Sequence, residues 1–229
     1  MKLNTMKVFL IFSLMITFLF SASPIDAQKT FEGKIKFKVT NNGEDMSMNY
    51  YMKNGEIRID MPGGMGGAMI YKGKKMIIIN PQQKMYMEFS VDKMKKMAKK
   101  FKSDDSDGDA DNAKDFDPAK WKTGETKTLF GHECELYRFT EDGQTTEMWV
   151  AKDMGNFMGA QNPMAPSSSP LWQQQLAGTN FFPLQVIVKD KDGKVNSKFE
   201  VVELKEQSLS DDLFNVPSGY NKVSIPGMN

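Results

Sequence analysis

Phe31-Glu32-Gly33-Lys34-Ile35-Lys36-Phe37-Lys38-Val39 decides the fold. From Lys34 to Val39, apolar side chains and lysines alternate, and Phe31 extends the same register past Gly33, the pattern of a strand with one buried and one wet face. Asn41-Asn42-Gly43 then turns the chain, and Met46, Met48 and Tyr50 alternate in the next segment. Lys53-Asn54-Gly55 turns it again into Ile57, Ile59 and Met61. Asn-Gly between alternating segments is a strong short-range hairpin signal.

The same rhythm continues outward. Residues 68–71, 76–79 and 85–89 follow, the last carrying Met85, Met87 and Phe89. A second set comprises residues 127–130, 133–139, 145–150, 184–188 and 194–204. Short turns join almost all of these eleven segments, which favours an antiparallel meander over a parallel sheet with its long crossovers. Helix is scarce. Val91, Met94, Met97, Ala98 and Phe101 form one apolar stripe over 91–101, opposite the lysines. Proline at 170 suits the start of a second short helix over 170–176, with Leu171, Trp172 and Leu176 as its contacts. The expected fold is mainly β: a curved antiparallel sheet, an incomplete barrel, with two short covering helices.

At the N-terminus, Lys2 and Lys7 precede an apolar run from Val8 to Phe20, and Ser21-Ala22-Ser23-Pro24-Ile25-Asp26-Ala27 follows. This is the three-part plan of a secretory signal, with cleavage predicted after Ala27. Residues 28–229 would then form a single domain, periplasmic or extracellular, with no membrane span once the signal is removed; the apolar run is short for one. Composition agrees with a globular chain: 40% hydrophobic, 26% charged, and a formal net charge of +1 that carries no nucleic-acid footprint.

Chemistry is sparse. One histidine and one cysteine exclude a poly-histidine metal centre, a four-thiolate zinc site and an intramolecular disulfide framework. His132 and Cys134 lie two apart on a strand and so share a face, but nothing in the sequence supplies a third group to orient them. A buried, inert thiol is the alternative. No catalytic residue and no cofactor is assigned. Residues 103–117 carry Asp104, Asp105, Asp107, Asp109, Asp111, Asp115 and Asp117. With Gly108 as the fixed glycine of a calcium loop, Ser103 and Lys114 fall at the two ends, where carboxylates are needed. A mobile, solvated loop is expected there.

Methionine is abundant, 19 in the chain. Thioethers fill cores, line adaptable apolar surfaces, or bind Cu(I), and Met61, Met65 and Met69 around a glycine-rich link form the candidate copper set.

Several of these segments together carry a resemblance. They are Phe31-Glu-Gly-Lys-Ile35, Gly55-Glu-Ile-Arg-Ile-Asp-Met61 and Asn80-Pro-Gln-Gln-Lys-Met-Tyr86, then Gly131-His-Glu-Cys-Glu-Leu-Tyr137, Thr146-Glu-Met-Trp-Val150 and Leu213-Phe-Asn-Val-Pro-Ser-Gly-Tyr220. In this order they resemble an uncharacterised family of secreted bacterial domains, the domain of unknown function 4412. That family is similar in fold to the LolA/LolB periplasmic lipoprotein carriers. The resemblance implies an incomplete antiparallel barrel, open on one side, with helices over an apolar cavity. It carries no binding residue onto this chain.

The expected function is a non-enzymatic binding protein that holds a lipid or other apolar ligand in the concave face of a half-barrel. Its wall is expected from Ile35, Phe37, Val39, Met46, Met48, Tyr50, Ile57, Ile59, Met85, Met87, Phe89, Met94, Met97 and Trp172. A lipoprotein or envelope protein is the expected macromolecular partner, and a monomer the expected state. Met-based copper binding, or a structural module with a filled core, are the alternatives.

Overall fold

The computed structural model describes residues 31–61, 67–93, 118–157, 170–176 and 179–224. Among them, twelve strands form one sheet in the order β12-β6-β5-β4-β3-β2-β1-β11-β10-β9-β8-β7. The first meander is β1 (Gly33–Asn41), β2 (Glu44–Lys53), β3 (Glu56–Met61), β4 (Gly67–Lys72), β5 (Lys75–Asn80) and β6 (Met85–Ser90). A second walks back towards it: β7 (Lys122–Leu129), β8 (His132–Glu141), β9 (Gln144–Ala151), β10 (Phe182–Lys189) and β11 (Val195–Glu206). The two meet where β11 pairs with β1, from Gly33 opposite Glu206 to Asn41 opposite Ser197. β12 (Asn221–Val223) pairs parallel with β6, and every other pairing is antiparallel.

The sequence reading holds for the mainly β class and for one open sheet, with two differences. The three-residue β12 is too short to alternate and is not legible as a strand. β7 begins at Lys122 rather than 127, because a register shift between Lys122 and Thr126 spoils its alternation.

The hairpin turns follow from backbone geometry. Asn42 and Gly43 (φ 51° and 87°) and Asn54 and Gly55 (φ 50° and 79°) supply the consecutive left-handed residues that a tight, right-twisted hairpin requires. Gly33 is needed for a different reason. A Cβ there would collide with the backbone carbonyl of Lys205 across the β1–β11 seam.

Register sorts the two faces. Ile35 stands opposite Tyr50, Phe37 opposite Met48 and Val39 opposite Met46. Tyr50 in turn faces Ile59, and Ile59 faces Met69. One continuous apolar cluster covers this inner face, from Phe89 on β6 to Phe139 on β8. The β9–β10 connection lies over it, bringing Met154, Phe157 and the helix α2 (Leu171–Leu176, with Trp172 and Leu176 buried) into the cluster. The β6–β7 connection ends in α1 (Pro118–Trp121), whose Trp121 stacks on Phe139 at 4.6 Å. Of the helix expected over 91–101, residues 91–93 are helical. The remainder lies outside the described residues, as do residues 1–27, expected to be a signal segment, residues 103–117, expected to be a loop, and residues 62–66.

The outer face is buried too, over β4 and β5. Ala68, Ile70, Ile77 and Ile79 pack against Leu209 and Phe214 of the C-terminal segment. Ser210 caps the 3-10 turn Asp211–Phe214 by accepting from the Asp212 amide, and Lys53 reaches Asp211 at 2.7 Å. Arg58 donates to the Leu213 carbonyl at 3.0 Å. This clasp accounts for the unbroken apolar runs 68–71 and 76–79, since a strand covered on both faces has no reason to alternate.

Candidate functional site

A cleft of about 540 Å³ opens on the inner face where the two meanders join. That is within the roughly 300–1,000 Å³ range typical of small-molecule sites. Its floor comes from β1, β2 and β3 on one side of the seam (Val39, Met48, Tyr50, Ile59) and from β10 and β11 on the other (Val186, Val188, Phe199). Phe157, Pro170, Trp172 and Gln173 of the β9–β10 connection form the opposing wall.

Depth grows along β2. Met46 is 47% exposed at the mouth, Met48 is half-buried and Tyr50 is buried. The deep end is an aromatic stack. Phe157 lies nearly parallel to Tyr50 at 6.0 Å and edge-on to Phe37 at 6.3 Å, and Trp172 meets Phe199 at 5.1 Å. Asn41 and Ser197, paired across the seam, stand at the shallow end. The inner-face alternation that the sequence shows is what delivers Val39, Met46, Met48, Tyr50 and Ile59 to one wall.

Placement of the expected wall residues divides by depth. Val39, Met46, Met48, Tyr50, Ile59 and Trp172 line the cleft. Ile35, Phe37, Ile57 and Phe89 are on the same face but packed within the core cluster. Met87 is half-buried against that cluster, and Met85 is half-buried beside β12. Met94 and Met97 lie outside the described residues. Alternation fixes a face but does not say which part of it the covering segment reaches. The sequence reading omitted Val186, Val188, Phe199 and Phe157. The first three carried a usable signal, the alternating positions of β10 and β11; Phe157 sits in a connection with no periodicity.

Of the thioethers considered for copper, Met61 also lines the cleft, while Met69 is buried on β4 and Met65 lies outside the described residues. Among the described residues, no group of three His, Cys, Asp or Glu side chains is placed to hold a metal ion.

His132 and Cys134 are both buried on β8. A third group does orient the histidine: Asp153 sits 2.8 Å from its Nδ1, contributed by the segment after β9. Cys134 takes no part in that pair. Its Sγ donates to the backbone carbonyl of His132 at 3.6 Å, and burial pushes its thiol up to about 11, so it is not an activated nucleophile. A polar hollow of about 360 Å³ adjoins His132, between Phe31, Glu32, Asp153 and Glu206.

A cluster of charged side chains surrounds Glu135, which is not on the cleft lining. On β8, Glu135 accepts from Lys122 at 2.8 Å, from Lys152 at 2.6 Å and from the Tyr137 hydroxyl at 2.8 Å. Lys122 and Lys152 hold its carboxyl at about 2, against the opposing effect of burial.

The chain is similar to several solved structures. An uncharacterised conserved protein from Thermus thermophilus is 13% identical, with a TM-score of 0.44 over 84% of this chain and 90% of that one. The MucA/MucB complex of Pseudomonas aeruginosa contains a chain that is 12% identical, TM-score 0.45, over 86% of this chain and 60% of that one. A domain assigned to an outer membrane lipoprotein-sorting protein of Vibrio parahaemolyticus is 12% identical, TM-score 0.29, over 80% and 88%. No curated protein matches by sequence. Residues 31–220, the span from β1 to the clasp, match the family described as Domain of unknown function (DUF4412), and the chain belongs to that family.

Proposed function

We propose that this protein is an exported, non-enzymatic binding protein that holds an apolar or lipid-like ligand in the inner-face cleft. One observation carries the reading: the cleft is walled mainly by aliphatic, aromatic and thioether side chains and opens outward at Met46. Hydrocarbon gains about 0.8 kcal/mol for each methylene buried, so eight or so offset a typical cost of immobilising a ligand. Met46, Met48 and Met61 let the wall adjust to chain length and unsaturation, because an unbranched thioether repacks at little cost. The N-terminal signal plan supports export, and a lipoprotein or another envelope protein is the partner class to which such cargo would pass.

The test is saturable binding of the neutral fluorophore N-phenyl-1-naphthylamine, with Val188→Trp as the obstructing variant. Val188 is half-buried on the cleft floor, so an indole there narrows the cleft at its floor. Binding by the parent and its loss in Val188→Trp, at unchanged far-UV circular dichroism and unchanged thermal midpoint, is the expected result. Equal binding by both proteins would place the probe elsewhere and remove the cleft as the site. No binding by the parent would leave a structural module with a filled core.

A further inference from the structure

The charge pattern around the cleft selects among amphiphiles, an inference that rests on the cleft being a ligand site. Period-two alternation sends the charges outward. Lys34, Lys36 and Lys38 alternate with Ile35, Phe37 and Val39 on β1, and Arg58 and Asp60 alternate with Ile57, Ile59 and Met61 on β3. Three cations on the strands that floor the cleft, none of them on its lining, are ion-paired. Lys38 holds Asp45 at 2.8 Å, Arg58 holds Asp60 at 2.7 Å and Lys189 holds Glu147 at 2.8 Å. Among the described residues, Lys198 is the one charged residue on the lining. It precedes the inward Phe199, and its ammonium is bound to Glu200 at 2.7 Å on the outer side.

Among the described residues, the other polar side chains on the lining are uncharged: Asn41, Ser197 and Gln173. Two amides and a hydroxyl both donate and accept, which matches an ester, a hydroxyl or an amide head. An ionised carboxylate finds no uncommitted cation there among the described residues, and shedding water against neutral groups costs free energy. We propose that the cleft selects amphiphiles with an uncharged head, of the acylglycerol or acyl-amide class, over free fatty acids.

Displacement of N-phenyl-1-naphthylamine from the wild-type protein tests this. Three competitors share a twelve-carbon tail: 1-monododecanoylglycerol, dodecanoate and dodecyltrimethylammonium, each below its micellar concentration at pH 8. The monoacylglycerol is expected to compete at least about tenfold more tightly than either ion. Dodecanoate competing as well or better would overturn the selection while keeping the cleft, and weaker competition by it in Lys198→Gln would trace the capture of the acid to Lys198. Tightest competition by the ammonium would overturn it in the opposite sense. If the probe binds and none of the three displaces it, the cleft reading itself falls.

Discussion

Glu135→Gln is the most informative single change, because its effect has both a size and a pH signature. The carboxylate is 16% exposed and accepts three charge-assisted or hydroxyl hydrogen bonds, from Lys122, Lys152 and Tyr137. Its folded pKa of about 2 lies below the ordinary value of 4.5. A depressed carboxylate contributes stability that is present above the unfolded pKa and lost as pH falls through the folded one. The window is therefore about pH 4.5 down to about pH 2. Two and a half units correspond to about 3 kcal/mol at most, and the half-exposed lysine partners reduce this to about 1–3 kcal/mol. Urea denaturation of the parent and Glu135→Gln at pH 7 should differ by that amount, and the gap should shrink steadily below pH 4.5 and nearly vanish at pH 2. High salt should narrow the difference at pH 7, since both lysines are partly in water. A gap of constant size from pH 7 to pH 2 would refute the reasoning, showing that glutamine costs packing rather than charge.

Two further outcomes follow from the geometry. Gly33→Ala should lower the stability measured by urea denaturation by about 1–3 kcal/mol, because the new methyl meets the Lys205 carbonyl and the seam must open; an unchanged midpoint would mean that the strands part there without cost. Cys134, with its thiol held near 11 by burial, should resist iodoacetamide at pH 8, where roughly one thiol in a thousand is ionised, and react fully in guanidinium. Stoichiometric labelling of the native protein would contradict that burial.

Legibility in the sequence followed locality. Hairpins β1–β2 and β2–β3 announce themselves, because alternation and Asn-Gly turns are decided within a few residues. The expectation of eleven segments corresponds strand for strand to β1–β11. The outer clasp was not legible: Leu209 and Phe214 are ordinary apolar residues in a polar stretch, and their target is settled only once β4 and β5 are paired. Non-alternating Ile77-Ile78-Ile79 was the available sign that two faces needed covering. The cleft was half legible for the same reason. Sequence gives the face on which Phe37 and Met48 both stand. Which of them stays packed and which borders a space depends on where Phe157 lands, and no periodicity governs that.

The seam between β1 and β11 has a consequence for how the chain acquires its shape. Each meander is built from neighbouring hairpins, and hairpins close in microseconds. Gly33 and Glu206, by contrast, are far apart along the chain, and their pairing carries a larger loop-closure cost. The topology predicts that the two half-sheets form first and that docking of one against the other is the slower step. Until then each half presents a bare strand edge and an uncovered apolar face. A second copy offers the same edges, so at high concentration the first meander of one molecule can zip onto the second of another, giving an exchanged dimer. The cleft is built from both halves, so it comes into being only with that last step.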